Sequence, residues 1–115
     1  MEKRIIPKPW GQEEVIEINE RYMVKKLTMH AGHRCSLQYH NRKRETIYVL
    51  AGRLKIVSGE KADALTERIF QPGESVTLPT GLIHRMEGVD DSVYLESSTP
   101  EMDDVVRLKD DYARA

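Results

Sequence analysis

Residues Gly32–Gly52, with the sequence GHRCSLQYHNRKRETIYVLAG, contain the most informative pattern of the chain. Gln38 and His40 are two positions apart, so on a β-strand their side chains project from the same face. The segment 41–44 is polar and mostly basic, which suits a turn, and a β-branched and aromatic run begins at Glu45. We therefore expect a hairpin that returns Glu45 towards His40, so that an amide, an imidazole and a carboxylate converge on one interior point.

Side chains of these three types can ligate a divalent metal, and a fourth ligand would complete the site. His84 is the candidate, because it ends a second block that begins at Gly73 and contains Pro79-Thr80-Gly81. A single inward histidine is more often a core residue with a satisfied hydrogen bond, so the prediction depends on the whole set and its spacing. Imidazole and carboxylate ligands suit zinc, iron, nickel or manganese. The predicted metal ligands are Gln38, His40, Glu45 and His84.

Short strands punctuated by glycine and proline, without a long helical period, indicate an all-β barrel or sandwich. After an extended lead-in through Pro9, further strands are expected over residues 14–18, 21–29, 53–58, 65–70, 75–78, 83–88 and 93–98. Residues 102–112 are expected to form either an edge segment or a short helix. Trp10 is expected to be a packing anchor.

The two blocks resemble the paired motifs of the cupin superfamily, in which a glycine, a His-x-His pair, a glutamate and a glycine precede a second block of glycine, Pro-x-Gly and histidine. Gln38 replaces the first histidine of the pair, and in this respect the chain resembles the C-terminal cupin domain of type II mannose-6-phosphate isomerases. The similarity extends from Pro9-Trp10-Gly11 to Tyr112. It implies a small antiparallel β-barrel of the jelly-roll or double-stranded β-helix type, with zinc as the metal. We expect residues 1–115 to form one stand-alone cupin domain.

The resemblance also implies an aldose–ketose isomerase that acts on a sugar phosphate similar to mannose 6-phosphate. Such a reaction passes through an enediolate, whose negative charge a metal and a nearby cation can stabilise. Lys25 is the candidate catalytic residue, either for proton transfer or for stabilising the enediolate, because it shares the apolar face of its strand with Met23 and Leu27. Glu87 is the next candidate for proton transfer. Three cations of the ligand hairpin could bind the substrate's phosphate: Arg42, Lys43 and Arg44.

Two other functions remain open. A metal-dependent cupin oxygenase would need redox-active iron or copper, and a sugar-binding cupin module would keep the barrel without turnover. The chain departs from the isomerase pattern at three positions, with Lys43 in place of arginine, Thr46 in place of histidine and Gly88 in place of asparagine. Metal analysis separates the oxygenase from the isomerase, and a turnover assay separates the binding module from both.

Length and charge narrow the list of partners. The chain has 115 residues, enough for one domain, and 18 basic against 19 acidic residues leave a formal charge of −1, so no basic patch argues for nucleic acid. No apolar run approaches the roughly 20 residues of a membrane helix, and the N-terminus lacks the apolar core of a signal peptide. We therefore expect a cytoplasmic protein whose single Cys35 is a structural thiol.

A homodimer is also expected. By strand parity, apolar side chains lie on the outward face of the ligand strand and its return strand. A monomer would expose this surface, and cupins commonly pair through sheet faces or swapped edge strands. The side chains concerned are Cys35, Leu37, Tyr39, Tyr48 and Leu50.

Overall fold

The computed structural model describes residues 4–101 and 103–112, and within them it contains eleven β-strands and no α-helix. The expected strands are all present, with ends shifted by a few residues, and the lead-in forms a further strand at its start. None of the described residues belongs to a helix that could span a membrane. The strands are β1 Arg4–Lys8, β2 Gly11–Ile18, β3 Met23–Met29, β4 Leu37–Tyr39, β5 Glu45–Ala51, β6 Leu54–Gly59, β7 Thr66–Phe70, β8 Ser75–Leu78, β9 Ile83–Gly88, β10 Ser92–Ser98 and β11 Val106–Lys109.

These strands form two antiparallel sheets. The larger has six strands in the order β1-β2-β3-β10-β5-β8, and the smaller has five in the order β11-β4-β9-β6-β7. In the larger sheet β10 lies between β3 and β5, far from both in sequence, which gives the crossed connections of a jelly roll. The prediction of an all-β fold is confirmed. Pro7 lies in β1, at the edge of its sheet, where a missing N–H donor is tolerated.

The core lies between the two sheets. Alternate residues of β3 are buried, and Lys25 shares this inward face with Met23, Leu27 and Met29, as the sequence pattern predicted. Trp10 is 4% exposed and packs in the same core, so its role as an anchor is confirmed.

The expected hairpin around the predicted ligands is wrong. β4 pairs with β9 and β11 in the smaller sheet, whereas β5 pairs with β10 and β8 in the larger one. The turn at residues 41–44 therefore carries the chain from one sheet to the other. Glu45 still meets His40, because both side chains project into the space between the sheets.

The C-terminal segment forms an edge strand. β11 pairs with β4, and Arg107 lies opposite Gln38 in the register. Of the two structures expected for residues 102–112, the edge segment is therefore correct. Met102 lies outside the described residues.

The expected position of Cys35 on the outward face is wrong. Its thiol lies in the core, where Sγ accepts a hydrogen bond from the backbone N–H of Met86 at 3.2 Å. The strand begins only at Leu37, so strand parity does not extend back to Cys35. Leu37 is also buried, whereas Tyr48 and Leu50 are exposed on the outer face of the larger sheet. Burial raises the pKa of the Cys35 thiol to about 11, which is consistent with a structural thiol.

Candidate metal centre

Three predicted ligands meet between the sheets, and we call them the ligand cluster: His40, Glu45 and His84. Their ligand atoms all lie within 4.8 Å of one another. Oε1 of Glu45 is 3.1 Å from Nε2 of His84 and 3.8 Å from Nε2 of His40. All three residues are buried. His40 directly follows β4, Glu45 is the first residue of β5 and His84 lies in β9.

The hydrogen bonds of the two imidazoles define which nitrogen faces the interior. Nδ1 of His40 lies 2.7 Å from the carbonyl oxygen of Asp104, and Nδ1 of His84 lies 2.9 Å from that of Leu82. A carbonyl oxygen only accepts hydrogen bonds, so each Nδ1 carries the hydrogen and, in the neutral ring, each Nε2 does not. Both Nε2 atoms and Oε1 of Glu45 lack a hydrogen-bond partner among the described residues.

Three buried acceptor atoms facing one another repel unless a cation lies between them. Burial lowers the pKa of His40, which favours the neutral imidazole that ligates metals. Burial opposes ionisation of Glu45, but cationic neighbours, with the ammonium group of Lys43 3.2 Å from its Oε2, hold its pKa below the usual range. The donor set of two neutral imidazoles and one carboxylate therefore fits a divalent metal.

Gln38 lies beside the ligand cluster. It is directly opposite His84 in the pairing of β4 with β9, and its side chain borders the same cavity. Its Oε1 accepts a hydrogen bond from the hydroxyl of Ser36 at 2.9 Å, which fixes the amide. Gln38 as the fourth metal ligand stays a prediction.

Asp104 connects the C-terminal segment to the turn at residues 41–44, which we call the ligand turn. Its carboxylate accepts hydrogen bonds from the backbone N–H groups of Asn41, Arg42 and Lys43, at 3.1, 2.6 and 2.8 Å. Its own carbonyl oxygen accepts the hydrogen bond of His40 described above. Partners of this kind orient a metal-binding imidazole, so Asp104 positions His40 from outside the ligand cluster. This role of Asp104 was not predicted.

The ligand cluster opens into a cavity of about 420 Å³ between the sheets. Its apolar lining includes Trp10, Leu27, Met86 and Tyr94. Its polar side is a row of charged side chains of alternating sign, which we call the charged wall: Glu13, Lys25, Glu96, Lys43 and Glu45.

Ion pairs hold the charged wall together. Nζ of Lys43 lies 3.2 Å from Oε2 of Glu45 and 2.7 Å from Oε2 of Glu96. Nζ of Lys25 lies 3.1 Å from Oε1 of Glu13, and Lys25 is the cross-strand neighbour of Glu96. Burial would lower the pKa of Lys43, but Glu96 and Glu45 hold it above its usual value, so its ammonium group stays charged. A cavity lined in this way suits a polar ligand with many hydroxyl groups.

Not every predicted site residue reaches the cavity. Glu87 has the opposite parity to His84 on β9, and its carboxylate lies 3.3 Å from Nζ of Lys55, outside the described lining of the cavity. Arg42 and Arg44 are exposed, so Lys43 is the one cation of the turn at residues 41–44 in that lining.

Other charged residues that were not predicted as site residues also border the cavity, among them Glu96 and Arg107. Glu96 borders it from β10, where it shares a face with buried Tyr94, and this parity was the available signal. Arg107 borders it from β11. Arg107 belongs to the stretch 103–107 that shares in the family resemblance, but its position at the cavity depends on where the C-terminal strand pairs.

Solved structures with the same fold support this description. Capsular polysaccharide assembling protein CapF from Staphylococcus aureus has a TM-score of 0.81 and 20% identity, covering 94% of this chain and 34% of that one. Oxalate decarboxylase from Bacillus subtilis, described with Mn(II) centres, has a TM-score of 0.77 and 17% identity, covering 91% of this chain and 30% of that one. The fold and the site define a cupin jelly roll with a candidate metal centre.

The sequence identifies the family. The family described as mannose-6-phosphate isomerase C-terminal matches residues 2–110, and the chain belongs to it. Mannose-1-phosphate guanylyltransferase ManC of Salmonella typhimurium is 34% identical, over 96% of this chain and 23% of that protein. The chain thus spans about a quarter of the length of the curated relatives it matches.

Proposed function

We propose that this chain is a divalent-metal-dependent aldose–ketose isomerase that acts on a sugar phosphate of the mannose 6-phosphate type. One observation carries the proposal: the unprotonated ligand atoms of His40, Glu45 and His84 converge on one point, and His40 and Glu45 line a polar cavity. Membership of the mannose-6-phosphate isomerase C-terminal family supports the choice of substrate. The guanylyltransferase activity in the name of the ManC relative is not part of the proposal, because the chain spans 23% of that protein.

The ligand cluster and Gln38 would hold the metal, for which we propose zinc. A zinc ion bound there would act as a Lewis acid on the carbonyl oxygen of the open-chain sugar. The protein itself holds the substrate, shields it from water between the two sheets and supplies fixed charges.

Lys25 supplies one of these charges. Its ammonium group borders the cavity, and the 3.1 Å ion pair with Glu13 fixes its position. A fixed cation in a largely buried site stabilises the negative charge that develops on the enediolate more than on the neutral substrate. We therefore assign Lys25 to stabilisation of the enediolate.

The phosphate of the substrate needs cations at the cavity. Lys43 was predicted for this role and does line the cavity, but it already pairs with two carboxylates. Arg107 lies opposite Gln38 and borders the same space, and a guanidinium group suits a phosphate because it can donate two parallel hydrogen bonds. We assign Arg107 to the anionic end of the substrate, whereas Lys43, which lies 3.2 Å from Glu45, belongs to the carbonyl end.

The proposed substrate class agrees with the cytoplasmic location expected from the sequence. The expected homodimer is part of the same proposal, and the exposed apolar side chains of Tyr48 and Leu50 on the outer face of the larger sheet support it.

The direct test is interconversion of mannose 6-phosphate and fructose 6-phosphate by zinc-loaded protein of measured metal content. We expect turnover with the wild type and loss of both zinc and turnover in His84→Ala. His33→Ala is the matched control, because His33 is exposed and lies outside the ligand cluster. Metal-loaded protein that binds sugar phosphates without interconverting any aldose and ketose pair would instead be a binding module. Oxygen consumption with iron-loaded protein would favour the oxygenase.

A further inference from the structure

Glu96 is a buried carboxyl group at the centre of the charged wall. It lies on β10, in the middle of the larger sheet, between Lys25 on β3 and Ile47 on β5. It is 6% exposed and borders the cavity. A carboxyl group at such a position costs stability unless it is paired, and Oε2 is paired with Nζ of Lys43 at 2.7 Å.

Glu96 is close to the ligand cluster. The same ammonium group of Lys43 lies 3.2 Å from Oε2 of Glu45, so one side chain separates Glu96 from a predicted metal ligand. Along the charged wall, Glu96 is therefore the first carboxyl group beyond the ligand cluster. A sugar whose carbonyl end faces the ligand cluster would have its first carbons beside this part of the wall.

The other charged groups of the charged wall are less suited than Glu96 to accept a proton from the sugar. Lys43 and Lys25 are each paired with a carboxylate, and an ammonium group has three N–H donors and no lone pair to accept a proton. Glu13 pairs with Lys25 and with Lys8, farther along the row from the ligand cluster. Burial raises the pKa of Glu96 above its usual value, with repulsion from Glu45 adding to the effect, which is the direction that suits both accepting and returning a proton near neutral pH.

We propose that Glu96 transfers the proton between the two adjacent carbons of the sugar, an inference that rests on the proposed isomerase function. The carboxylate removes the hydrogen of C2 as a proton, and the electron pair of the broken bond forms the C1–C2 double bond. The carbonyl π pair moves onto O1, which takes the proton released by the hydroxyl at O2. The carboxyl group then returns its proton to C1 as a carbonyl forms at C2, so no oxidant or other reactant is needed.

The test compares Glu96→Gln and Glu96→Asp with the wild type. Glu67→Gln is the matched control, because Glu67 also pairs with a lysine, Lys55 at 3.3 Å, but lies on the exposed part of β7. Four quantities are measured for each protein: zinc content, melting temperature, kcat and KM for the sugar phosphate, and exchange of the C2 hydrogen with deuterium from solvent.

We expect Glu96→Gln to keep zinc, fold and KM while kcat and the C2 exchange rate both fall by about 100-fold or more. Glu96→Asp keeps the carboxyl group at a shorter reach and should recover part of both rates, whereas Glu67→Gln should match the wild type. Glu96→Gln with wild-type kcat and exchange would overturn the proposal, as would loss of zinc or of the fold in Glu96→Gln together with no recovery in Glu96→Asp. Failure of the wild type itself to turn over or exchange any sugar phosphate would instead refute the isomerase function, and this inference with it.

Discussion

Lys25 shows how far a single residue can be interpreted from strand parity. The sequence placed its ammonium group on an apolar face, and the structure confirms that position and adds the ion pair with Glu13. Lys25→Met keeps the length and the packing of the side chain but removes the charge. We expect the variant to fold and retain zinc while isomerase turnover falls by about 100-fold or more, the scale of one group that stabilises an oxyanion.

Lys55→Met is the control for Lys25→Met, since Lys55 pairs with Glu67 and Glu87 outside the described lining of the cavity. Steady-state kinetics and zinc analysis of both variants test whether the charge of Lys25 takes part in the reaction. Equal turnover in the two variants would show that Lys25 has no part in the reaction.

Asp104 should affect the affinity for the metal although it is not one of the predicted ligands. Asp104→Asn removes the charge that three backbone N–H groups of the ligand turn share, and so it loosens the turn that holds His40. We expect zinc affinity to fall by about 10- to 100-fold, the usual effect of losing a partner that orients a ligand. Competition with a chromophoric chelator measures this change.

Asp111→Asn is the matched control for Asp104→Asn. It makes the same chemical change in the same segment, where the carboxylate pairs with Arg34 at 2.6 Å instead of with the ligand turn. The proposed role of Asp104 requires a much smaller loss of zinc affinity in this control. A similar loss in both variants would point to general loosening of the segment.

At the scale of single residues, the sequence predicted which side chains project inward but not all of their partners. The motif spacing brought together His40, Glu45 and His84, and the structure places their ligand atoms within 4.8 Å. Parity could also have excluded Glu87, which is an odd number of residues from His84. It could not reveal Asp104, because the hydrogen bonds of Asp104 cross more than sixty residues of sequence.

At the scale of strands, local pattern predicted where strands lie but not how they pair. Periodicity and turn residues describe one stretch of chain at a time, and two strands joined by a short polar turn usually form a hairpin. Here β4 and β5 belong to different sheets, because β10 occupies the place beside β5 and β9 the place beside β4. The edge position of β11 was undecided for the same reason, since strand pairing over a long sequence distance leaves no local signature.

The turn between β5 and β6 gives a prediction at this scale. Gly52 has a φ of +73°, and a Cβ at this position would collide with the backbone carbonyl of Asp91. Gly73 has a φ of +89° in a turn with open space around it. Alanine at either position costs roughly 1–2 kcal/mol for the left-handed conformation, and Gly52→Ala costs at least about 1 kcal/mol more because backbone must move.

Urea unfolding of Gly52→Ala and Gly73→Ala measures the difference. We expect the lower midpoint for Gly52→Ala, with an unchanged slope. A larger loss of stability in Gly73→Ala than in Gly52→Ala would contradict the close approach of the β5–β6 turn to Asp91.

At the scale of the whole molecule, metal binding should be visible as thermal stability. A metal that binds the folded state alone stabilises it by about 2.7 kcal/mol at 100 times its Kd, which for a domain of this size corresponds to a shift on the order of 10 °C. Adding a strong chelator to zinc-loaded protein should therefore lower the melting temperature. His84→Ala should melt at the same temperature with and without the chelator, and a chelator-independent melting curve for zinc-loaded wild type would contradict the candidate metal centre.

The second prediction at this scale concerns assembly. Tyr48 and Leu50 are 43% and 41% exposed on the outer face of the larger sheet, and Leu95 is their neighbour on β10. We expect a homodimer at micromolar concentration, because pairing through this apolar surface removes it from water. Light scattering should give twice the mass of the chain for the wild type. The double variant Tyr48→Glu, Leu50→Glu should have the mass of one chain.

Ile69→Glu is the control for this experiment. Ile69 is 48% exposed on β7 of the smaller sheet, so its substitution should leave the dimer intact. A monomeric wild type would exclude the dimer, and dissociation by Ile69→Glu alone would move the interface to the smaller sheet.

The position of β10 between β3 and β5 has a consequence for the order of events on the ribosome. Synthesis proceeds from the N-terminus, so both neighbours of β10 emerge long before it and remain without their central partner until residues 92–98 have been made. All three residues of the ligand cluster also precede Asp104, which fixes the orientation of His40. The ligand cluster therefore reaches its native arrangement only after nearly the whole of this sequence has been translated, and we expect a metal to be bound by the folded jelly roll instead of by the growing chain.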